Sequence, residues 1–206
     1  MADFPWKRLT TRPVYDNPWL TIEEDQVLKP NGQPGIYGKV LFKNRAVAIL
    51  PVDGEYNLYL VGQSRYMQGR FSWEVPKGGA PRDEDLLACA QRELNEETGL
   101  QAENWLTLMT DVDVSNSVTD ELAYVYLATG LTQGQSCPED SEDISVRKVS
   151  LAAALHMCLQ GEITCLLSIA AILRLRVLHP HWFGEASAHE NSVPAVDVPA
   201  GPGRGG

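Results

Sequence analysis

Three carboxylates fall within five residues, at Glu93, Glu96 and Glu97. Glu93 and Glu97 are four apart, so on an α-helix they lie side by side on one face, and Glu96 borders that face. Like charges so spaced cost an isolated helix about 0.2–0.5 kcal/mol per pair, and a divalent cation reverses that sign. Magnesium suits the pattern, because it takes a few carboxylates and completes its shell with waters and phosphate oxygens; Mn2+ is the natural substitute. Arg92 is placed to hold Glu96 or Glu84. The full run is Gly78, five residues, Glu84, seven residues, Arg92-Glu93-Leu94, one residue, Glu96-Glu97, one residue, Gly99-Leu100. Most Glu-rich helix faces are merely solvated. Nine fixed positions, however, coincide by chance on the order of 10⁻⁹ to 10⁻¹⁰ per start site at average residue usage, so chemistry is the better reading.

The elements that must position this run are legible around it. The helix is expected from an Asp83 N-cap, with Leu87, Ala90 and Leu94 on its apolar face and Gly99 as its stop. Before it, Leu20 to Leu28 and Ile36 to Phe42 flank Asn31-Gly32 as a hairpin, and Arg45 to Val52 and Asn57 to Gln63 flank Asp53-Gly54 as a second one. Ala46 to Leu50 is continuously apolar and is expected to be buried on both faces. After the helix, Trp105 to Val114 and Leu122 to Ala128 read as strands. Leu151 to Leu159 reads as a helix capped by Ser150 and ended by Gly161, and Thr164 to Leu178 as a second helix stopped by Pro180.

Composition sets the class. The chain has 206 residues, 44% apolar and 21% charged, which suits one globular domain, or one domain with an appendage. Seventeen Lys and Arg against 27 Asp and Glu give a net charge of −10. That excludes a protein that coats nucleic acid, though not phosphate chemistry conducted through a metal. The charge is uneven: Asp83 to Glu97 carries six acidic residues and one arginine, and Glu139, Asp140, Glu142 and Asp143 form a second acidic stretch. Cys89, Cys137, Cys158 and Cys165 show no metal or disulfide spacing and read as free thiols, two or three of them buried, in a reducing cytoplasm. Met1 to Thr10 lacks the apolar core of a signal peptide, and the apolar run Ile163 to Leu173 is too short to span a bilayer. We divide the chain into an N-terminal β region (1–44), a catalytic domain (45–183) and a disordered tail (184–206).

The run from Gly78 to Leu100 resembles the complete signature of the Nudix hydrolase family. From about Tyr15 to Leu175 the chain is similar to the branch of ADP-ribose and nucleoside-diphosphate-sugar pyrophosphatases. That likeness rests on Val61-Gly62-Gln63-Ser64-Arg65-Tyr66, Trp73-Glu74-Val75-Pro76-Lys77-Gly78-Gly79 and Gly161-Glu162-Ile163-Thr164. The resemblance implies an α/β fold, a Nudix-type α/β/α sandwich with a mixed β-sheet, here preceded by an N-terminal antiparallel β-hairpin region. It implies Mg2+-dependent hydrolysis of a nucleoside diphosphate sugar to a nucleoside monophosphate and a sugar phosphate. Glu93 and Glu97 would be the principal metal ligands, Glu96 a further or water-bridged ligand, and the main-chain carbonyl of Lys77 part of the shell. Gly78, Glu84, Arg92 and Gly99 would support the box.

The general base in this family is a box glutamate or an acidic residue on the later loop, which makes Glu121, beside Asp120, the candidate; such a base contributes about 10² to 10⁴ in rate. Asp120 and Glu121 also read as the close of a surface turn. Arg65 and Arg70 flank the approach to the box and are the candidate grips for diphosphate oxygens. Trp19, Tyr66, Phe71 and Trp73 are the aromatics available for stacking a base, and equally for a core or an interface; no histidine is assigned to catalysis. The branch often exchanges N-terminal strands across a homodimer, whereas Asn31-Gly32 by itself specifies only a local hairpin. Val112 to Glu121 lacks the proline usual in members that favour ADP-ribose, which leaves other nucleotide sugars open. The alternatives are a hydrolase of (d)NTPs or dinucleoside polyphosphates and a non-catalytic nucleotide-binding regulator. Neither nucleic acid nor membrane is expected as a partner.

Overall fold

The computed structural model describes residues 5–134 and 144–184. The second acidic stretch, Cys137 and all of the expected tail except Gly184 lie outside the described residues.

Three antiparallel strands open the chain: β1 (Lys7–Asp16), β2 (Leu20–Leu28) and β3 (Pro34–Phe42), in the order β1-β2-β3. The β2–β3 turn forms where Asn-Gly called for it. Gly32 sits at φ +79°, Lys29 N donates to Gln33 O at 2.9 Å, and Asn31 Oδ1 accepts from Gln33 N at 3.1 Å. Strand β1 has no apolar alternation to announce it. It is exposed along its whole length and holds Pro13, which an edge strand tolerates.

The central sheet is mixed, in the order β7-β4-β9-β8, from β4 (Asn44–Pro51), β7 (Lys77–Pro81), β8 (Leu100–Asp113) and β9 (Leu122–Gln133), with β4 and β9 parallel. A second antiparallel sheet, β10-β5-β6, comprises β5 (Asn57–Arg65), β6 (Arg70–Glu74) and β10 (Ser145–Ser150). The Asp53-Gly54 turn therefore does not close a hairpin ladder. After one bridge, Val52 to Leu58, β4 and β5 part into different sheets, because Val47 to Leu50 are buried on both faces and need a layer on each side. Val47 and Ile49 pack with Ala90 and Leu94 of α1 (Leu86–Thr98), whereas Ala48 and Leu50 pack with α2 (Leu151–Leu159) and α3 (Leu166–Leu178). Helices on both faces of a mixed sheet make the α/β/α sandwich.

Helix boundaries differ slightly from expectation. The N-cap of α1 is Asp85 rather than Asp83, its carboxylate accepting from Ala88 N at 2.9 Å, and Gly99 ends the helix at φ 69°. Ser150 caps α2 as expected, while α3 starts two residues late behind Cys165. Cys89 is buried; Cys158 and Cys165 are partly so.

Candidate active site

Helix α1 presents its carboxylates to the end of the central sheet where β7 begins. Glu93, Glu96 and Glu97, with Lys77, Gly78, Gly79 and Arg92, line a cavity of about 470 Å³. A Cβ at Gly78 would overlap the Glu93 carboxylate, so the glycine makes the space in which Glu93 sits. Glu97 is only 8% exposed and accepts from Lys77 N at 2.9 Å, which fixes the strand carrying the box glycines to the helix.

Arg92 holds both of the residues between which the spacing left a choice, and Glu93 too. It reaches Glu84 Oε1 at 3.2 Å, Glu93 Oε1 at 2.8 Å and Glu96 Oε2 at 2.9 Å. The Glu84 hydrogen bond, outweighing the cost of burial, holds its guanidinium well above the ordinary value. Burial, reinforced by the charge of Glu84, pushes the neighbouring Cys89 thiol up to about 12, so it is an inert packing group. Among the described residues no three His, Cys, Asp or Glu side chains converge as a closed metal cage. The donor set nevertheless fits a hard divalent cation: carboxylate oxygens on one helical turn, one of them nearly buried, in a glycine-made hollow.

A second cavity, of about 430 Å³, adjoins the first through Lys77, which lines both, and is walled by Arg65, Gln68, Arg70, Ser72, Glu74, Thr164 and Cys165. Its hub is Glu74, 4% exposed, which pairs with Lys77 Nζ and accepts two hydrogen bonds from Arg65, Nε at 3.0 Å and Nη2 at 2.9 Å. Burial lowers the affinity of the Lys77 amine for its proton. Arg65 thus gives its fork to Glu74, whereas Arg70 donates to Thr164 Oγ1 at 3.1 Å.

Glu121 stands at the entry to β9. Burial first, and then the charge of Asp120, raises its pKa, with Lys77 opposing. It is not among the residues lining the carboxylate cavity. Trp19, 68% exposed, Asn44 and Ile144 do line it. Of these, sequence reasoning reached only Trp19, as one aromatic among four. Asn44 and Ile144 carry no signal in the sequence, because what places them is the pairing of β4 with β7 and the position of Ile144 just before β10.

An α/β/α sandwich with a box helix feeding carboxylates to the edge of a mixed sheet defines a hydrolase of the Nudix class. The chain belongs to that family: the NUDIX domain matches residues 42–163, and the Nucleoside diphosphate sugar hydrolase N-terminal domain matches residues 6–40. It is 32% identical over 182 residues to the ADP-ribose pyrophosphatase of Mycobacterium tuberculosis (strain ATCC 25618 / H37Rv), covering 86% of each chain. It is 30% identical over 165 residues to the ADP-ribose pyrophosphatase of Bacillus subtilis (strain 168), covering 79% of this chain and 88% of that one. A crystal structure described as an ADP compounds hydrolase superimposes with a TM-score of 0.75 at 20% identity, over 84% of this chain and 93% of the other, which shows the shared fold. Nudix hydrolases generally use divalent metal ions. Among the described residues no helix is long and apolar enough to cross a membrane.

Proposed function

We propose that the chain hydrolyses the pyrophosphate bond of a nucleoside diphosphate sugar of the ADP-ribose type, giving a nucleoside monophosphate and a sugar phosphate, with Mg2+ as its cofactor. The observation that carries this is the carboxylate turn of Glu93, Glu96 and Glu97 in the Gly78 hollow, joined through Lys77 to a cationic cavity. The ADP-ribose pyrophosphatase relatives support the substrate class.

In this reading Glu93 and Glu97 would hold the ion, and Glu96 and the Lys77 carbonyl would supply further oxygens. A bound divalent ion supplies charge neutralisation at the phosphorus centre and a more acidic water. Arg92 keeps Glu84, Glu93 and Glu96 together, and with an ion bound Glu84 would remain its partner. Arg70 grips a phosphate oxygen, and Arg65 joins it while anchoring Glu74. Trp19 offers its face to the base, and Glu121, its proton affinity raised, is the candidate base. The N-terminal region (1–44) acts as a dimerisation element: Leu9, Val14, Tyr15 and Ile36 are exposed on its strands, and a homodimer working in the cytoplasm would cover them.

The test is a panel of ADP-ribose, GDP-mannose, UDP-glucose, NADH, diadenosine polyphosphates and dNTPs with product identification, run on the wild type and on Glu97→Gln. We expect Mg2+-dependent release of nucleoside monophosphate from a nucleotide sugar and a loss of roughly 10² to 10³ in kcat in the variant. Turnover of triphosphates alone overturns the substrate, and an unaltered Mg2+ requirement in Glu97→Gln overturns the metal assignment. The cationic cavity favours one second reading, a dinucleoside polyphosphate whose extra phosphates extend past Lys77, which the same panel resolves.

A further inference from the structure

The N-terminal sheet is fastened to the loop between β8 and β9 by a set of hydrogen bonds that the box chemistry does not use. Val40 N donates to Val118 O at 2.9 Å and Asp120 N to Val40 O at 3.3 Å, so residues 118–120 run along β3 as a short parallel partner. At the end of β3, Phe42 N donates to Asp120 Oδ1 at 2.7 Å. Arg82, in the turn between β7 and α1, donates to both Phe42 O at 3.0 Å and Asp120 Oδ2 at 3.2 Å. Three segments therefore meet on one carboxylate: the end of the N-terminal sheet, the turn leading into the box helix, and the loop before β9.

We infer that Asp120 is a positioning residue for substrate binding, setting the Trp19 wall of the carboxylate cavity at its working distance from the box wall. Lys43, next to Phe42, donates its N–H to Trp19 O at 3.0 Å, and Trp19 N is held by Asn17 Oδ1 at 2.9 Å. Asn44 is the next residue along and lines the cavity itself. Because Asn44 opens β4 and is set opposite Pro81 of β7, whatever pins Phe42 governs the Trp19 side of the wall. The Arg82–Asp120 ion pair is solvent-exposed and by itself is worth little. The short bond from Phe42 N to a charged carboxylate carries the clamp, because bonds to ionised acceptors are the strong ones.

The inference rests on the proposed use of this cavity, so the test reads the clamp in two ways. Asp120→Ala and Asp120→Asn are compared for KM and kcat on the nucleotide sugar that the wild type turns over. Amide hydrogen exchange at Phe42, Lys43 and Trp19 is measured in parallel. For Asp120→Ala we expect KM to rise roughly tenfold or more with kcat changed less than about threefold, and the Phe42 amide to exchange roughly tenfold faster or more. Asp120→Asn, which keeps an acceptor for Phe42 N, should recover most of both. A fall in kcat at unchanged KM, or wild-type exchange at Phe42 in Asp120→Ala, overturns the clamp. If Asp120→Ala does not fold, Asp120→Ser, whose shorter side chain falls short of Phe42 N, takes its place, and wild-type KM and exchange in it overturn the clamp. If the wild type turns over no diphosphate, the functional reading has failed; the dissociation constant of AMP then replaces KM, and a constant unchanged in Asp120→Ala overturns the clamp on its own.

Discussion

At Gly78 the side chain that is missing matters more than any contact present. The glycine has ordinary backbone angles, so alanine brings no conformational strain, only a methyl group in the volume of the Glu93 carboxylate. Glu93 is a flexible side chain and can swing away, which predicts a separation of effects. Gly78→Ala should retain the fold, with a thermal midpoint within about 5 °C of wild type, while kcat/KM falls by roughly tenfold or more. Equal losses of stability and activity would show that the glycine serves packing alone. Trp19 yields the complementary result. Exposed and backed on one side by the chain, it should raise KM roughly tenfold when changed to alanine and leave kcat near wild type, by loss of about 1–3 kcal/mol of stacking. The glutamates were legible in the sequence because four-residue spacing on a helix is a local property. Trp19 was not singled out, since its place in the cavity depends on a non-local contact, the hydrogen bond from Lys43 N to Trp19 O, which no periodicity announces.

Between elements, the Asp53 turn ties three strands together. Asp53 accepts from Glu55 N and Asn57 N, both at 2.9 Å, and pairs with Lys148 Nζ of β10 at 2.7 Å. Burial raises its pKa, but the hydrogen bonds from Lys148 and Asn57 outweigh that and hold it at about 2, against an ordinary 3.8. A carboxylate depressed on folding contributes stability that is fully present above the unfolded value and is lost as the folded value is approached. The wild type should therefore be more stable than Asp53→Asn at neutral pH, and the gap should close as pH falls from about 4 to 2, as followed by urea denaturation at each pH. A gap constant across that window would mean that the pair with Lys148 is not formed in solution. This turn also shows why the sequence misread the connection. Asp-Gly signals a reversal, and the reversal occurs, yet whether the flanking strands then pair depends on the layers that bury Ala48 and Leu50. Strands β6 and β7 escaped for a related reason: five residues rich in glycine, or led by arginine, carry no period, and only pairing with β5 and β4 makes them strands.

For the whole molecule, charge opposes the proposed task at long range and favours it close in. A net charge of −10 repels an anionic nucleotide sugar, whereas Arg65, Arg70 and Lys77, set against Glu74, make the second cavity locally positive. The two ranges can be separated by salt, because the Debye length shrinks from about 30 Å at 0.01 M to about 8 Å at 0.15 M and screens the distant field before the local one. With Mg2+ held fixed, kcat/KM should rise roughly two- to fivefold as monovalent salt increases from 10 to 150 mM, as the long-range repulsion is removed. Above that range it should fall, as the contacts with Arg70 and the box are screened in turn. A monotonic fall from the lowest salt would mean that the cationic cavity dominates the approach. In that case Arg70→Ala should invert the low-salt slope while leaving the Mg2+ requirement in place, because Arg70 lines the second cavity and the carboxylates line the first.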